Sequence, residues 1–117
     1  MRDIQGYEGL YAITEDGRVW NYRTNKFMAT RLHYDTGYVI VNLAKDGKKK
    51  TLSVHRLVAQ AYLPNPDNLP VVHHKNSDRS DCRVENLQWV TQEKNMIYKT
   101  VDYLRSLGFT IEIPENF

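Results

Sequence analysis

Two adjacent histidines, His73 and His74, close the short apolar run begun by Val71 and Val72. A loop rich in Asp, Ser and Arg follows, and then Glu85-Asn86-Leu87-Gln88-Trp89-Val90 leads through Thr91 into a helical pattern. Side chains alternate across a strand, so the two imidazoles must point to opposite sides, which suits two different tasks better than one shared task. An imidazole, with an ordinary pKa of about 6.5, can accept a proton at physiological pH or ligate a metal, and it can equally be a satisfied structural group. Arg79 and Arg83 in the loop could contact phosphate or pair with Asp78, Asp81 or Glu85. His55 and Arg56 stand at a strand-to-helix junction, where His55 could fix the corner or meet a phosphate. Trp89 lies in an apolar strand and reads as core rather than as a platform for a base. A single cysteine, Cys82, supports neither a disulfide framework nor a cysteine-based structural zinc.

These groups need a scaffold that brings a strand pair, a loop and a helix together. Upstream of them, turn signals separate alternating residues, the pattern of short antiparallel strands. Residues 11–14 and 19–22 flank Asp16-Gly17, read here as a type I′ turn with positive φ at both central positions, and a third strand is expected over 27–31. The clearest hairpin runs through 38–44, turns at Asp46-Gly47 and returns through 49–54. With Lys45 and Lys48 flanking a two-residue turn, Val41 falls opposite Leu52 and Val39 opposite Val54, and with Leu43 they form one apolar face. The other face carries Tyr38, Ile40, Asn42, Lys49, Thr51 and Ser53, which could meet water or enter a DNA groove.

A first helix is expected over 55–62, with Leu57, Val58, Ala61 and Tyr62 on one stripe, Ser53 as N-cap, and Pro64 and Pro66 as its stop. A second begins after Thr91, with Glu93 in its first turn and Asn95 and Lys99 on its outward face. Beyond Val101 a further helical turn or two, a stop at Gly108 and an extended stretch over 109–113 are expected. The pattern predicts an α+β fold: N-terminal antiparallel hairpins followed by a strand–loop–strand–helix unit.

The chain has 117 residues, enough for one domain with a modest core. Its net charge of +2 is unevenly spread: +3 over residues 1–54, +1 over 55–99 and −2 over 100–117. Lys48, Lys49 and Lys50 are consecutive, a run that serves as a solvated turn or as a contact for a polyanion. No apolar run approaches the roughly 18 residues that span a bilayer, and the N-terminus lacks the apolar stretch of a signal peptide, so a soluble intracellular protein without membrane contact is expected.

Taken in order, the motifs resemble the HNH nucleases of the ββα-metal fold, specifically the small phage and intron-encoded HNH homing endonucleases. Residues 4–11 (IQGYEGLY) with Gly17-Arg18-Val19-Trp20 look like the module that commonly precedes the nuclease motif. The motif itself is matched by Val54-His55-Arg56-Leu57-Val58-Ala59, Pro64-Asn65-Pro66, Val72-His73-His74 and Val84-Glu85-Asn86-Leu87-Gln88-Trp89-Val90-Thr91. The resemblance implies a DNA-contacting sheet over 1–54, a nuclease motif over 55–99 and a C-terminal extension over 100–117 packed on the same domain. It makes His74 the general base, His73 a metal ligand, Asn86 the residue that ties the loop and orients the base, and Asn95, nine residues after Asn86, the second ligand. Mg²⁺ or Mn²⁺ is the expected ion, with Zn²⁺ or Ni²⁺ able to bind. Double-stranded DNA is the expected partner, contacted through Lys49, Asn42, Thr51, Tyr38, Arg56, Arg79, Arg83 and Lys99. A monomer or weak homodimer in the cytoplasm of a bacterial host is expected. Lys99 stands where some members carry a further histidine, and many homing relatives continue into a helical DNA-reading module, whereas this sequence stops at Phe117, so sequence specificity is expected to come mainly from the N-terminal sheet or to be loose. The competing expectation is a DNA-binding or host-interaction protein, such as a counter-defence factor, that keeps the scaffold without cleaving.

Overall fold

Turn chemistry organises the N-terminal half. The computed structural model describes residues 1–114 and 117. Four short strands, β1 (Arg2–Asp3), β2 (Tyr11–Ile13), β3 (Val19–Asn21) and β4 (Lys26–Phe27), form one antiparallel sheet in chain order. A second antiparallel sheet holds β5 (Arg31–Leu32), β6 (Val39–Lys45) and β7 (Lys48–Ser53). Asp46 and Gly47 take φ of 54° and 73°, the pair that a two-residue type I′ hairpin requires, and Val41 pairs with Leu52 as the sequence register predicts. Val41 and Leu43 are fully buried on the core face, while Asn42, Lys49 and Thr51 stay exposed on the other. Ile40, assigned to that polar face, is buried.

Two expectations here need correcting. Around Asp16-Gly17 only Gly17 has positive φ (87°); Gly17 N donates to Thr14 O, and Ile13 pairs with Val19. The loop is therefore three residues long, a turn closed by a left-handed glycine, rather than a type I′ pair. The third strand expected over 27–31 divides, since β4 ends at Phe27 in the first sheet and β5 opens at Arg31 in the second.

From β7 the chain passes directly into α1 (Val54–Tyr62). Ser53 is its N-cap residue, although its hydroxyl makes no capping bond. The helix stripe packs beneath both halves: Val54, Val58 and Ala59 are fully buried in one core with Tyr11, Ile13, Val19, Val41, Leu43 and Leu87. Polar links join the same parts. Tyr62 OH donates to Ile13 O at 2.7 Å, Ala44 N donates to Tyr11 OH at 3.1 Å, and Val84 N donates to Glu15 O at 2.8 Å.

After the proline-rich turn, β8 (Val71–His74) pairs antiparallel with β9 (Leu87–Val90), which a 3₁₀ turn (Val84–Asn86) introduces. Then α2 (Gln92–Ser106) begins, capped by Thr91, whose hydroxyl accepts from Lys94 N at 3.1 Å. This helix is continuous through the boundary expected near residue 99. It stops where expected, as Gly108 at φ 98° lets its N–H reach Arg105 O and lets Phe109 N–H reach Leu104 O. Residues 109–113 form no strand; Arg105 instead donates to Ile111 O. Residues 115–116 of the expected extension lie outside the described residues.

Candidate active site

His73 and His74 part as strand alternation requires. The His73 ring stacks on Tyr98 of α2, with centroids 4.1 Å apart and planes 10° apart. His74 turns the other way, toward His55 at the start of α1 (4.8 Å) and Tyr38 just before β6 (5.8 Å), and Tyr38 stacks on His55 at 4.8 Å. Two segments remote in sequence thus clamp the one ring that β8 alone could not fix. Both sides reach one cleft of about 400 Å³, shared by His73, His74, Tyr38 and Arg79 with Asn95 and Lys99 of α2. The helix face carrying Asn95 and Lys99, expected to look outward, therefore turns to this cleft.

Asn86 holds the loop between the strands. It is buried, and its side chain accepts from Asn76 N (3.0 Å) while donating to Asn76 Oδ1 (3.0 Å) and Asp81 O (2.9 Å). Lys75 N donates to Asn86 O at 2.7 Å, so the chain leaving His74 is pinned by backbone and side chain together. Asn86 does not line the cleft; whatever it contributes to chemistry runs through the loop's position.

Burial lowers the proton affinity of all three histidines. His55 is pushed down to about 3, by burial first and then by the neighbouring His74 and Arg56. His73 and His74 are also lowered mainly by burial, and Asp102 works against the shift at His73. Each is therefore neutral near pH 7, with a lone pair to offer. Two buried nitrogens, His55 Nδ1 and His74 Nε2, have no hydrogen-bond partner among the described residues. A stability prediction follows. Below pH 6.5 the unfolded chain takes up a proton that folded His55 refuses, so stability is held above pH 6.5 and lost as pH falls toward 3. Between pH 6.5 and 5 this amounts to about 2 kcal/mol from His55 alone. Urea unfolding at pH 7 and pH 5 checks it, and equal stabilities would contradict the buried neutral ring.

The remaining predicted contacts divide. Arg79 reaches the cleft, donates to Thr36 O at 2.6 Å and lies 4.8 Å over the Tyr38 ring. Arg83 takes the pairing alternative, bonded to Asp81 at 2.7 Å and Glu85 at 3.3 Å, and away from the cleft. Arg56 likewise lies outside it, donating to Pro70 O at 3.0 Å over the ring of Trp89, in a separate hollow with Gln60 and Asn65. Trp89 is half-buried and donates to Leu63 O, as a core residue should. Thr51 donates its hydroxyl to Asn42 Oδ1 at 2.7 Å across the hairpin, some way from the cleft. Tyr98, Ser77 and Asp102 were missed from sequence, although Asn95, Tyr98, Lys99 and Asp102 share one helical face at spacings of three, four and seven.

The donor set fits a catalytic cation. His73 and Asn95 line the same cleft, and among the described residues neither side chain makes a hydrogen bond, leaving an imidazole nitrogen and an amide oxygen. Among the described residues no group of three or more His, Cys, Asp or Glu is placed to hold a metal, and an imidazole with an amide, without thiolate, is not the donor set of a closed structural zinc.

The HNH endonuclease family profile matches residues 53–97, and the NUMOD4 motif matches residues 2–44. An uncharacterized HNH endonuclease, L245, of Acanthamoeba polyphaga mimivirus is 40% identical over 88 residues, 75% of this chain and 26% of the relative. The DNA endonuclease I-HmuI of Bacillus phage SP01 is 38% identical over 95 residues, 81% of this chain and 54% of that one. The solved structure describing DNA binding and cleavage by the HNH homing endonuclease I-HmuI superposes with a TM-score of 0.77 at 35% identity, covering 96% of this chain and 60% of that one. The chain thus spans about half the length of I-HmuI and a quarter of L245. HNH nucleases generally use a divalent metal. No helix among the described residues is long and apolar enough to cross a membrane. In the order the sequence predicts and in the fold of I-HmuI, the chain carries a NUMOD4 motif followed by an HNH endonuclease domain.

Proposed function

We propose that this protein is a metal-dependent DNA endonuclease of the phage homing type, which nicks double-stranded DNA by hydrolysis and leaves 5′ phosphate and 3′ hydroxyl ends. The observation that carries this reading is the convergence of His73, His74 and Asn95 on one cleft, with the intervening loop locked by Asn86. His73 and Asn95 would hold Mg²⁺ or Mn²⁺, which when bound supplies positive charge to the phosphate and leaving oxygen. His74, neutral because it is buried, takes the proton of the attacking water. Tyr38 and His55 keep its ring from turning, and Asn86 keeps the strand end in place. Arg79 and Lys99 offer cations to the phosphate at the mouth of the cleft. One chain holds one such centre, so a double-strand cut needs two copies or two successive nicks. Calorimetry with Mn²⁺, paired with a nicking assay, tests the centre: His73→Ala and Asn95→Ala should each lose both metal affinity and nicking, whereas unchanged affinity in both would put the ion elsewhere.

The N-terminal sheet is proposed to lie against the duplex. Asn42, Thr51 and Lys49 share its exposed face, and because Thr51 occupies the Asn42 carbonyl, the Asn42 amide N–H₂ is left to donate to a base edge. Lys49→Ala should reduce the salt slope of log K for DNA binding by about 0.9, while Lys50→Ala, on the other parity of β7, should not. Equal slopes matching the parent protein would turn this sheet away from DNA.

A further inference from the structure

The two proposed ligands, His73 and Asn95, offer an imidazole nitrogen and an amide oxygen but no anion, and the same cleft holds the cations Arg79 and Lys99. A divalent ion entering between neutral donors and two positive side chains lacks the anionic partner that hard cations favour. One carboxylate lines the cleft, that of Asp102. It stands seven residues after Asn95 on α2, two turns along the same face, with Tyr98 and its stacked His73 between them.

Asp102 is held in place. Its Oδ2 accepts from the Ser77 hydroxyl at 2.6 Å, and Ser77 N in turn donates to His74 O at 3.0 Å, so the carboxylate is tied to the end of β8. Ser77 adopts φ 63°, a left-handed conformation that residues other than glycine seldom take. Among the described residues the other carboxylate oxygen makes no hydrogen bond, and Asp102 forms no ion pair with Arg79 or Lys99. Seven residues of helix rise about 10.5 Å. Across that rise a water on the ion suits the pair better than direct ligation by both, and Mg²⁺ usually keeps several waters.

We propose that Asp102 is the anionic member of the metal centre, accepting a hydrogen bond from water on an ion held by His73 and Asn95, with Ser77 fixing its position. This rests on the reading of the cleft as a metal-dependent nuclease site. The test is calorimetric titration of the full chain with Mn²⁺ alone, without DNA. Asp102→Asn keeps the shape and the bond from Ser77, and it should weaken Mn²⁺ binding by about 10-fold to 100-fold, the usual effect of losing a partner of this kind. Ser77→Ala should shift affinity in the same direction. Glu93→Gln removes one charge from the exposed first turn of the same helix and should leave affinity unchanged. Parental affinity in Asp102→Asn, or an equal loss in Glu93→Gln, would overturn the assignment while leaving His73 and Asn95 as ligands. A parent protein that binds no Mn²⁺ would remove the metal centre itself and this inference with it. Thermal unfolding of each variant confirms that the comparison is between folded proteins.

Discussion

His74→Ala is expected to lower the rate of DNA nicking by about 10²-fold to 10⁴-fold, the usual worth of a positioned general base, with DNA affinity nearly unchanged. The expectation comes from where the ring is held. His74 is buried against His55 and Tyr38 yet belongs to the wall of the cleft, so its ring is restrained in direction where the reacting water is proposed to sit. Its depressed proton affinity keeps it in the basic form at neutral pH. The sheet proposed to hold DNA is untouched by the change, so binding and cutting should separate in a gel shift run beside the nicking assay. Nicking at the parental rate would reassign the base.

Gly17→Ala should be the most damaging single-methyl change in the N-terminal half. An added Cβ at Gly17 would stand 2.8 Å from Cys82 Cβ and 3.3 Å from Val54 Cγ1, at a backbone φ of 87°. Left-handed strain and overpacking together should cost about 2–4 kcal/mol, enough to lower Tm by roughly 10–20 °C in a domain of this size. Gly47 supplies the control, because it has φ 73° and nothing within 4 Å, so Gly47→Ala should lose only the backbone part, about 1 kcal/mol. Equal losses in the two variants would mean that the 14–17 turn does not press on the nuclease loop. Cys82 itself is buried there, its thiol pushed up to about 11 by burial and by Asp81 and Asp78, which makes it packing rather than chemistry.

The same Asp-Gly dipeptide was legible once and misleading once, for a physical reason. Along β6 the buried residues Val41 and Leu43 flank the exposed Asn42, so shifting the register would exchange the faces, and the turn and the pattern agree. In β2, Tyr11, Ala12 and Ile13 are all buried, so the alternation that distinguishes a two-residue from a three-residue loop is absent. The candidate site shows a similar division. The opposed directions of His73 and His74 follow from local pattern and the loop-tying place of Asn86 from the family resemblance; the rings do diverge, and the Asn86 side chain does bond the loop at Asn76 and Asp81. The approach of His55 and Tyr38 to His74 is tertiary, set by how α1 and the second sheet pack against β8, and no local spacing expresses it. Asp102 and Tyr98 were readable from helical spacing, since helical turns were expected on both sides of Val101, as α2 supplies.

The account stands most directly on one measurement: conversion of supercoiled plasmid by the purified protein in EDTA, in Mg²⁺ and in Mn²⁺, with DNA binding scored in the same samples. It predicts open circles in Mg²⁺ or Mn²⁺ and none in EDTA, with nicks that ligase reseals because they carry 5′ phosphate and 3′ hydroxyl. Plasmid that is bound yet stays supercoiled in every metal would contradict it and leave a DNA-binding scaffold in place of an enzyme.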